Sequence, residues 1–368
     1  MRFATRVTRA GLPAPVQGAP FMPGPVFAGP YHLSGSPQEA PFAYGRFHNP
    51  TWSAYEQALG ELEGGKALVF ASGMAAVAAV FAVALSPGDA VVLPADSYYA
   101  VRVLGSELLA PAGVQVRLAP TADNAQAALL EGARLLWIES PSNPNLDVCN
   151  IANLCEQAHA AGALVAVDNT TACLINQDAL TLGADFSIAS DTKAITGHSD
   201  LILGHVTVKD AALHEKLRTY RTRTGAVAGP MEVWLAHRSL ATLDVRQDRQ
   251  CRSALEIARF FSTHARVVSV RYPGLESDPA YPTAVQQMRR FGSVVSFTLP
   301  DQDSAERFLA ACRLVYQATS FGSLHTTAER RARWGGDAVP PGFIRLNVGC
   351  EDLSDLLEDF SQALERLG

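Results

Sequence analysis

The stretch "ALVFASGMAAVAAVFAVAL" (residues 67–85) joins two apolar segments through a short turn. Its first five residues, "ALVFA", predict a buried β-strand, and the segment that begins at Gly73 predicts an apolar helix. A strand that is apolar on both faces and leads directly into a helix is typical of a parallel sheet covered by helices. The stretch therefore predicts an α/β fold.

The same pattern recurs along the chain. Further apolar runs predict strands at "AVVLP" (90–94), "VQVRL" (114–118), "RLLWIE" (134–139), "ALVAVD" (163–168), "DFSIAS" (185–190) and "HVTV" (205–208). Helical sequence separates most of them, so we expect a large domain with a mostly parallel sheet over residues 46–245.

Two other regions differ from this pattern. Residues 1–45 are rich in proline and glycine and show little periodicity, which predicts an extended N-terminal arm. After residue 245, strand-like runs such as "GSVVSFTLP" (292–300) are interspersed with helical segments, the last of them at "EDLSDLLEDFSQALERLG" (351–368). We therefore expect a smaller C-terminal α+β domain over residues 246–368.

The composition narrows the classes of function. The chain has 368 residues, of which 48% are hydrophobic and 18% charged, and this is typical of a folded globular protein. Its net charge of −6 disfavours nucleic acid or an anionic membrane surface as a partner. The sequence contains no apolar run long enough to span a bilayer and no secretory signal, and its six cysteines are scattered without a C-x-x-C pair. We expect a cytoplasmic protein without a structural metal.

Polar residues follow the predicted strands at the ends where parallel sheets bind ligands. They are Ser72, Gly73 and Met74 after the first strand, Tyr99 after the second, Asn143 after "RLLWIE", Asp168 at the end of "ALVAVD", and Ser190, Thr192 and Lys193 after "DFSIAS". Lys193 is one of only four lysines in the chain. A helix start for a phosphate, an aromatic ring, an amide, a carboxylate and an amine together are what a pyridoxal phosphate site requires.

Each of these residues also has an ordinary structural explanation. Gly73 could serve helix packing, Asp168 a turn cap, Tyr99 the core, and Lys193 the surface. What favours a cofactor site is their joint occurrence at successive strand ends.

Eight motifs make the chain resemble the cysteine and methionine metabolism family of pyridoxal-phosphate enzymes, which includes cystathionine γ-lyase, γ-synthase and β-lyase and methionine γ-lyase. They are "YGRFHNPT" (44–51), "FASGMAA" (70–76), "ESPSNP" (139–144), "VDNT" (167–170), "SDTKAITGHSD" (190–200), "FGSVVSF" (291–297), "TSFGS" (319–323) and "IRLNVGCED" (344–352). The resemblance implies fold type I of the pyridoxal-phosphate-dependent enzymes, and homotetramers built as dimers of dimers.

The resemblance also implies roles for individual residues. Lys193 would bind the cofactor aldehyde covalently and move protons, Asp168 would pair with the pyridine nitrogen, and Tyr99 would stack on the ring. Asn143 would contact the ring hydroxyl, and Ser72, Gly73, Met74, Ser190 and Thr192 would surround the phosphate. Tyr44 and Arg46 would reach that phosphate from a neighbouring subunit. Arg345, helped by Ser320, would bind the substrate carboxylate.

The chain departs from the family pattern in places that concern the substrate. His325 would be a further substrate-binding residue, and it stands where γ-acting members commonly have a glutamate. Ala100, Val101 and Arg102 follow Tyr99 where a Gly-Gly-Thr-like segment is usual. The absence of a cysteine there disfavours a methionine γ-lyase. We expect a carbon–sulfur lyase that acts on cystathionine or a related sulfur amino acid by γ-elimination. γ-Replacement, β-elimination and a non-catalytic relative stay open as alternatives.

Overall fold

A seven-stranded sheet forms the centre of the computed structural model, which describes residues 1–367. Its strands are β1 (Lys66–Phe70), β2 (Ala90–Pro94), β3 (Gln115–Ala119), β4 (Leu135–Glu139), β5 (Leu164–Asp168), β6 (Phe186–Ala189) and β7 (Gly204–Val208). They lie in the order β1-β7-β6-β5-β4-β2-β3, and all neighbours are parallel except those of β7, which runs antiparallel to both β1 and β6. The prediction of a mostly parallel sheet is thus confirmed.

Helices cover both faces of this sheet and build most of the remaining structure. They are α1 (Phe3–Arg9), α2 (Pro50–Glu63), α3 (Gly73–Ala84), α4 (Tyr99–Leu104), α5 (Ile151–Ala160), α6 (Ala211–Thr224), α7 (Pro230–Leu240), α8 (Leu243–Thr263), α9 (Tyr281–Gln287), α10 (Gln302–Ala311) and α11 (Leu353–Glu365). A π-helical turn, Gly105–Leu109, continues α4. Short 3₁₀ segments lie at Pro37–Glu39, Ala122–Leu129 and Arg331–Trp334.

The apolar strands owe their composition to burial on both sides. On β4, Trp137 packs into the cluster around α3, where its ring lies 4.9 Å from that of Phe81. The next residue, Ile138, points to the opposite face and packs into the cluster around α5. All five residues of β4 are buried, so the strand has no solvent-facing position that would favour a polar side chain.

A second, five-stranded sheet forms the C-terminal part. Its strands are β8 (Ser269–Arg271), β9 (Val294–Thr298), β10 (Tyr316–Gln317), β11 (Thr327–Arg330) and β12 (Phe343–Asn347), in the order β10-β11-β12-β9-β8. Its core contains a cluster of aromatic rings, in which Phe261 of α8 stacks on Phe297 of β9 at 4.2 Å. A domain boundary near residue 245 stays a proposal, and it would fall in the first turn of α8.

The first ten residues differ from the extended arm that their composition predicts. They form α1, whose Val7 is 1% exposed, and Ala10 beyond it is buried in the same cluster as Tyr55 of α2 and Leu240 of α7. These two small apolar side chains fill a gap between helices, and Phe3 packs against the same cluster, so the segment is docked and not extended. Beyond it, residues 12–36 form no helix and no strand.

Candidate active site

The carboxyl ends of the parallel strands converge on a cavity of about 500 Å³. Glu139 and Asp168, the last residues of β4 and β5, are register partners at this edge. The cavity brings together eleven of the residues predicted from the sequence: Ser72, Gly73, Met74, Tyr99, Asn143, Asp168, Ser190, Thr192, Lys193, Ser320 and Arg345. The topology explains this convergence for the nine residues of the large domain, because successive parallel strands end at the same edge of the sheet. Ser320 and Arg345 reach the cavity from the C-terminal part of the chain.

Lys193 lies just after β6, and its Nζ donates a hydrogen bond of 2.7 Å to Ser320 Oγ. The same nitrogen lies 5.5 Å from the centre of the Phe321 ring. Burial and, to a smaller extent, the nearby charge of Arg345 together lower the pKa of Lys193 to about 8, against the opposing charge of Asp168. A larger fraction of the amine is therefore neutral near pH 7 than in an ordinary lysine, and a neutral amine is the form that attacks an aldehyde.

Asp168 is a buried carboxylate, 8% exposed, whose Oδ1 accepts a 3.0 Å hydrogen bond from the backbone N–H of Thr170. Burial raises its pKa, against the hydrogen bonds from Thr170 and the charge of Lys193. The Thr170 hydroxyl in turn accepts a bond of 2.8 Å from the Ser190 N–H, which connects β5 to the lysine segment. A buried acid gains most from a cationic partner, and a protonated pyridine nitrogen would be such a partner.

The N-terminus of α3 has the geometry of a phosphate site. Ser72 caps this twelve-residue helix by accepting a hydrogen bond from the Ala75 N–H, and the first backbone N–H groups of the helix lie at the cavity. Gly73 is required at the first position because a Cβ there would lie 2.8 Å from the Cβ of Ser190. The hydroxyl of Thr192 is hydrogen-bonded to the backbone of Leu203, which fixes the segment before Lys193.

The remaining walls are aromatic and polar. Tyr99 begins α4 and meets Tyr98 edge to face with the ring centres 5.3 Å apart. Asn143 Oδ1 accepts a hydrogen bond of 2.7 Å from Arg345 Nη1, so the turn after β4 is tied directly to β12. Burial, with a smaller effect of Arg331, lowers the pKa of Arg345 to about 10, which still leaves its guanidinium charged at neutral pH.

Glu139, which was not predicted from the sequence, organises two of these walls. One oxygen of its carboxyl accepts the Tyr98 N–H and the other accepts the Asn143 N–H, both at 2.8 Å. Burial and the neighbouring Asp168 raise its pKa well above the ordinary value. The signal was present, because Glu139, like Asp168, ends a wholly apolar run.

Three predicted residues do not line this cavity. Arg46 donates to the Thr222 carbonyl at 2.6 Å and lies against the rings of Tyr44 and Phe47. Tyr44 is 43% exposed. His325 is exposed on the outside of the small domain, where its ring meets that of Tyr316. The sequence placed these residues at the site through family resemblance only, and their roles stay predictions.

The donor set as a whole fits pyridoxal phosphate. A lysine with a lowered pKa, a buried carboxylate, a helix N-terminus that excludes a side chain, and a tyrosine at the edge of the same cavity match the aldehyde, pyridine nitrogen, phosphate and ring of that cofactor. Within residues 1–367, no three His, Cys, Asp or Glu side chains are grouped in a way that could hold a metal ion.

Comparisons with known proteins agree with this site. Residues 27–365 match the family described as Cys/Met metabolism PLP-dependent enzyme. A Streptomyces coelicolor protein named "Putative cystathionine gamma-lyase" is 55% identical over 98% of this chain and 93% of its own length. A cystathionine beta-lyase from Coxiella burnetii is 35% identical over 98% of this chain and 97% of its own.

One solved structure extends the comparison to the fold. It is a cystathionine gamma synthase from Xanthomonas oryzae in complex with cystathionine, with a TM-score of 0.95, 31% identity, and coverage of 100% of this chain and 98% of that one. The family match spans both sheets and every cavity residue described above. The chain therefore belongs to the Cys/Met metabolism family of pyridoxal-phosphate-dependent enzymes.

Proposed function

We propose that this enzyme is a carbon–sulfur lyase that cleaves cystathionine by γ-elimination to cysteine, 2-oxobutanoate and ammonia. The observation that carries the proposal is the placement of Lys193, Asp168 and Arg345 around one cavity, in a chain 55% identical to a protein named as a γ-lyase. These residues supply an amine, an acid and a carboxylate receptor, which are the groups that an amino-acid lyase needs.

Arg345 binds the α-carboxylate of the substrate in this proposal. Arg345 is only 4% exposed, and it lines the cavity. Ser320 supplies a hydroxyl at the same wall. A guanidinium forms two parallel hydrogen bonds with a carboxylate, which orients the α-carbon as well as holding it. That orientation directs the α-proton towards Lys193.

Lys193 moves the protons. In its neutral form the amine would remove the proton from the α-carbon of the substrate, pass it on, and then remove a proton from the β-carbon, so that the Cγ–S bond breaks and cysteine leaves as its thiolate. The short hydrogen bond to Ser320 Oγ holds Nζ at the side of the cavity where Arg345 lies. Pyridoxal phosphate, when bound, supplies the electron sink for the charge left at the α-carbon, and Asp168 keeps its pyridine nitrogen protonated.

The alternative reactions share this machinery and differ in the bond that breaks. γ-Replacement on an activated homoserine would use the same amine and join cysteine to the γ-carbon. β-Elimination would release pyruvate instead of 2-oxobutanoate. The similarity to a γ-synthase and a β-lyase supports both as alternatives, at lower identity than the γ-lyase relative.

Product analysis tests the proposal. Purified enzyme is incubated with cystathionine, the 2-oxo acids are quantified by chromatography, and the Lys193→Ala variant serves as the control. We expect 2-oxobutanoate to exceed pyruvate and to depend on Lys193. Pyruvate as the main product would assign β-elimination. Cystathionine formation from an activated homoserine and cysteine, without cleavage, would assign γ-replacement.

We also propose that the active site is shared between subunits of a homotetramer, with Tyr44 and Arg46 reaching the phosphate bound in a neighbouring chain. Two observations support this assignment: neither residue lines the cavity of its own chain, and the preceding segment exposes Phe21 and Phe27 by 85% and 69%. Large exposed apolar side chains on a segment without helix or strand favour contact with another chain.

A cytoplasmic location is proposed as well. All six cysteines are free, which is consistent with a reducing compartment. No helix within residues 1–367 has the length and apolarity to cross a membrane.

A further inference from the structure

Five charged side chains of alternating sign form one ion-pair network, which runs from Arg345, the proposed carboxylate receptor, into the wall of the cavity. Glu329 Oε1 accepts hydrogen bonds from Arg345 at 2.6 Å and from Arg331 at 2.7 Å. Asp337 Oδ2 in turn accepts two bonds from Arg331, at 2.5 and 2.9 Å. Arg102 of α4 is the last member of this ion-pair network. Its Nη2 lies 3.5 Å from Asp337 Oδ1 and donates a hydrogen bond of 2.7 Å to the Gly336 carbonyl.

Four of these five side chains are nearly inaccessible to water. The exposed fractions are 4% for Arg345, 1% for Glu329, 6% for Arg331 and 3% for Asp337. Charges in such surroundings are screened far less than surface ion pairs, so the local charge balance matters. Arg333 also approaches Glu329, at 3.3 Å, but it is 38% exposed.

The charge balance decides how the receptor attracts an anion. Arg345 and Glu329 alone form a neutral pair, and a substrate carboxylate would meet an acid directly behind the guanidinium. Arg331 compensates that acid, so that the five groups carry three positive and two negative charges. Arg331 also lines the same cavity as Arg345.

We propose that Arg331 is a positioning residue for the substrate carboxylate: by holding Glu329 and balancing its charge, it keeps the guanidinium of Arg345 oriented and electrostatically available. This inference rests on the proposed role of Arg345. Arg331 acts through Glu329 and is not assigned a contact with substrate.

The same ion-pair network connects Arg345 to the cavity wall formed by Tyr99. Asp337 joins Arg331 to Arg102, which belongs to the helix that begins at Tyr99. The Gly336 backbone lies against Tyr99, since a Cβ at Gly336 would be 3.4 Å from the Cβ of that residue. The segment Arg331–Asp337 therefore fastens the C-terminal sheet to α4 beside the cavity.

Binding of two probes to the holoenzyme tests the proposal. One probe is 2-aminobutanoate, which has an α-carboxylate and no leaving group, and the other is 1-aminopropane, which lacks the carboxylate. Dissociation constants are read from the absorption change of the bound cofactor. We expect Arg331→Met to weaken 2-aminobutanoate about tenfold or more and to leave 1-aminopropane nearly unchanged. Arg331→Lys, which keeps the charge, is expected to restore much of the loss.

Asp337→Asn separates this role from a purely structural one. This substitution interrupts the same ion-pair network, but it removes a negative charge. The affinity for 2-aminobutanoate is therefore expected to stay unchanged or to increase. Weakening by both Arg331→Met and Asp337→Asn, or equal weakening of both probes, would overturn the inference. Arg345→Met provides the reference: if it weakens 2-aminobutanoate and Arg331→Met does not, the inference alone fails. If Arg345→Met has no effect, the proposed carboxylate receptor fails with it.

Discussion

Lys193 lies close to the charge of Arg345 and is partly buried, and both conditions favour its neutral form. Burial and, to a smaller extent, the charge of Arg345 together lower its pKa from an ordinary 10.5 to about 8, against the opposing charge of Asp168. A group with a lowered pKa loses its proton as the pH rises through that lower value. The neutral, reactive amine therefore becomes the main form of Lys193 above about pH 8.

A pH series on cofactor-free enzyme checks this. We expect the rate of pyridoxal phosphate capture, followed by absorbance, to rise with pH and to level off above a midpoint near 8, the pKa of Lys193. The Lys193→Ala variant corrects for capture at other amines. A rate that continues to rise towards pH 10.5 would show an unshifted lysine.

Asp168 gives the second prediction at this scale. Asp168→Asn keeps the shape of the side chain but removes the charge that holds the pyridine nitrogen protonated. We expect kcat to fall by about 10² or more, as on loss of one preorganised charge, while the dissociation constant for the cofactor changes less. Steady-state kinetics and a cofactor titration on the same preparation measure both. A nearly normal kcat would mean that Asp168 only caps the turn at Thr170.

At the scale of residues, the sequence identified most of the side chains that end apolar strands, with Glu139 as the exception, and missed those that depend on three-dimensional pairing. Asp168 and Lys193 follow strands that are apparent from composition. Arg331 lies in a charged segment, "AERRARW" (328–334), that looks like ordinary surface. Only the fold buries it between Glu329 and Asp337, which are two and six residues away.

Among the elements, α3 connects sequence to chemistry most directly. Its first residue, Gly73, lies against Ser190, and the backbone of both segments faces the cavity. We expect Gly73→Ala to weaken cofactor affinity, because the new Cβ would lie 2.8 Å from the Ser190 Cβ and would separate α3 from the lysine segment. Equilibrium dialysis against pyridoxal phosphate measures the change.

Ala82→Ser is the control within the same helix, since Ala82 is an exposed residue of α3. It is expected to leave cofactor affinity unchanged. If Gly73→Ala binds the cofactor as tightly as the control, the close approach of α3 to Ser190 has no role in forming the phosphate site.

Strands of the large sheet could be predicted because burial on both faces makes them uniformly apolar, as in β2, whose bounds of 90–94 match the prediction. The small sheet was harder. Strand β10 has two exposed residues, and β11 carries Glu329 and Arg330, whose charges are satisfied by ion pairs instead of water. Hydrophobic periodicity carries no signal for such strands.

At the scale of the whole molecule, we predict that each active site is shared between two subunits. Subunits with Lys193→Ala are mixed with subunits carrying Arg46→Ala under refolding conditions, and cystathionine cleavage is measured. If Arg46 serves the neighbouring site, each mixed dimer has one site with both defects and one with neither. About half of randomly formed dimers are mixed, so activity should recover to about a quarter of wild type when each parent is nearly inactive.

A second outcome of the mixing experiment would contradict the shared site. If Arg46 acts in its own chain, every site in the mixture carries one defect and activity stays at the average of the two parents. Unmixed parents refolded separately give that baseline. The sequence could suggest an assembly only through resemblance, because contacts between subunits leave no periodic signal within a single chain.

All of the chemistry proposed for this enzyme takes place at Lys193. Holoenzyme is reduced with borohydride, digested, and mapped by mass spectrometry for the lysine that carries the trapped cofactor. We predict a single adduct, on Lys193. The Lys193→Ala variant should have neither this adduct nor the ability to form a 2-oxo acid from cystathionine. An adduct on Lys66, Lys209 or Lys216, or full activity in Lys193→Ala, would contradict the account.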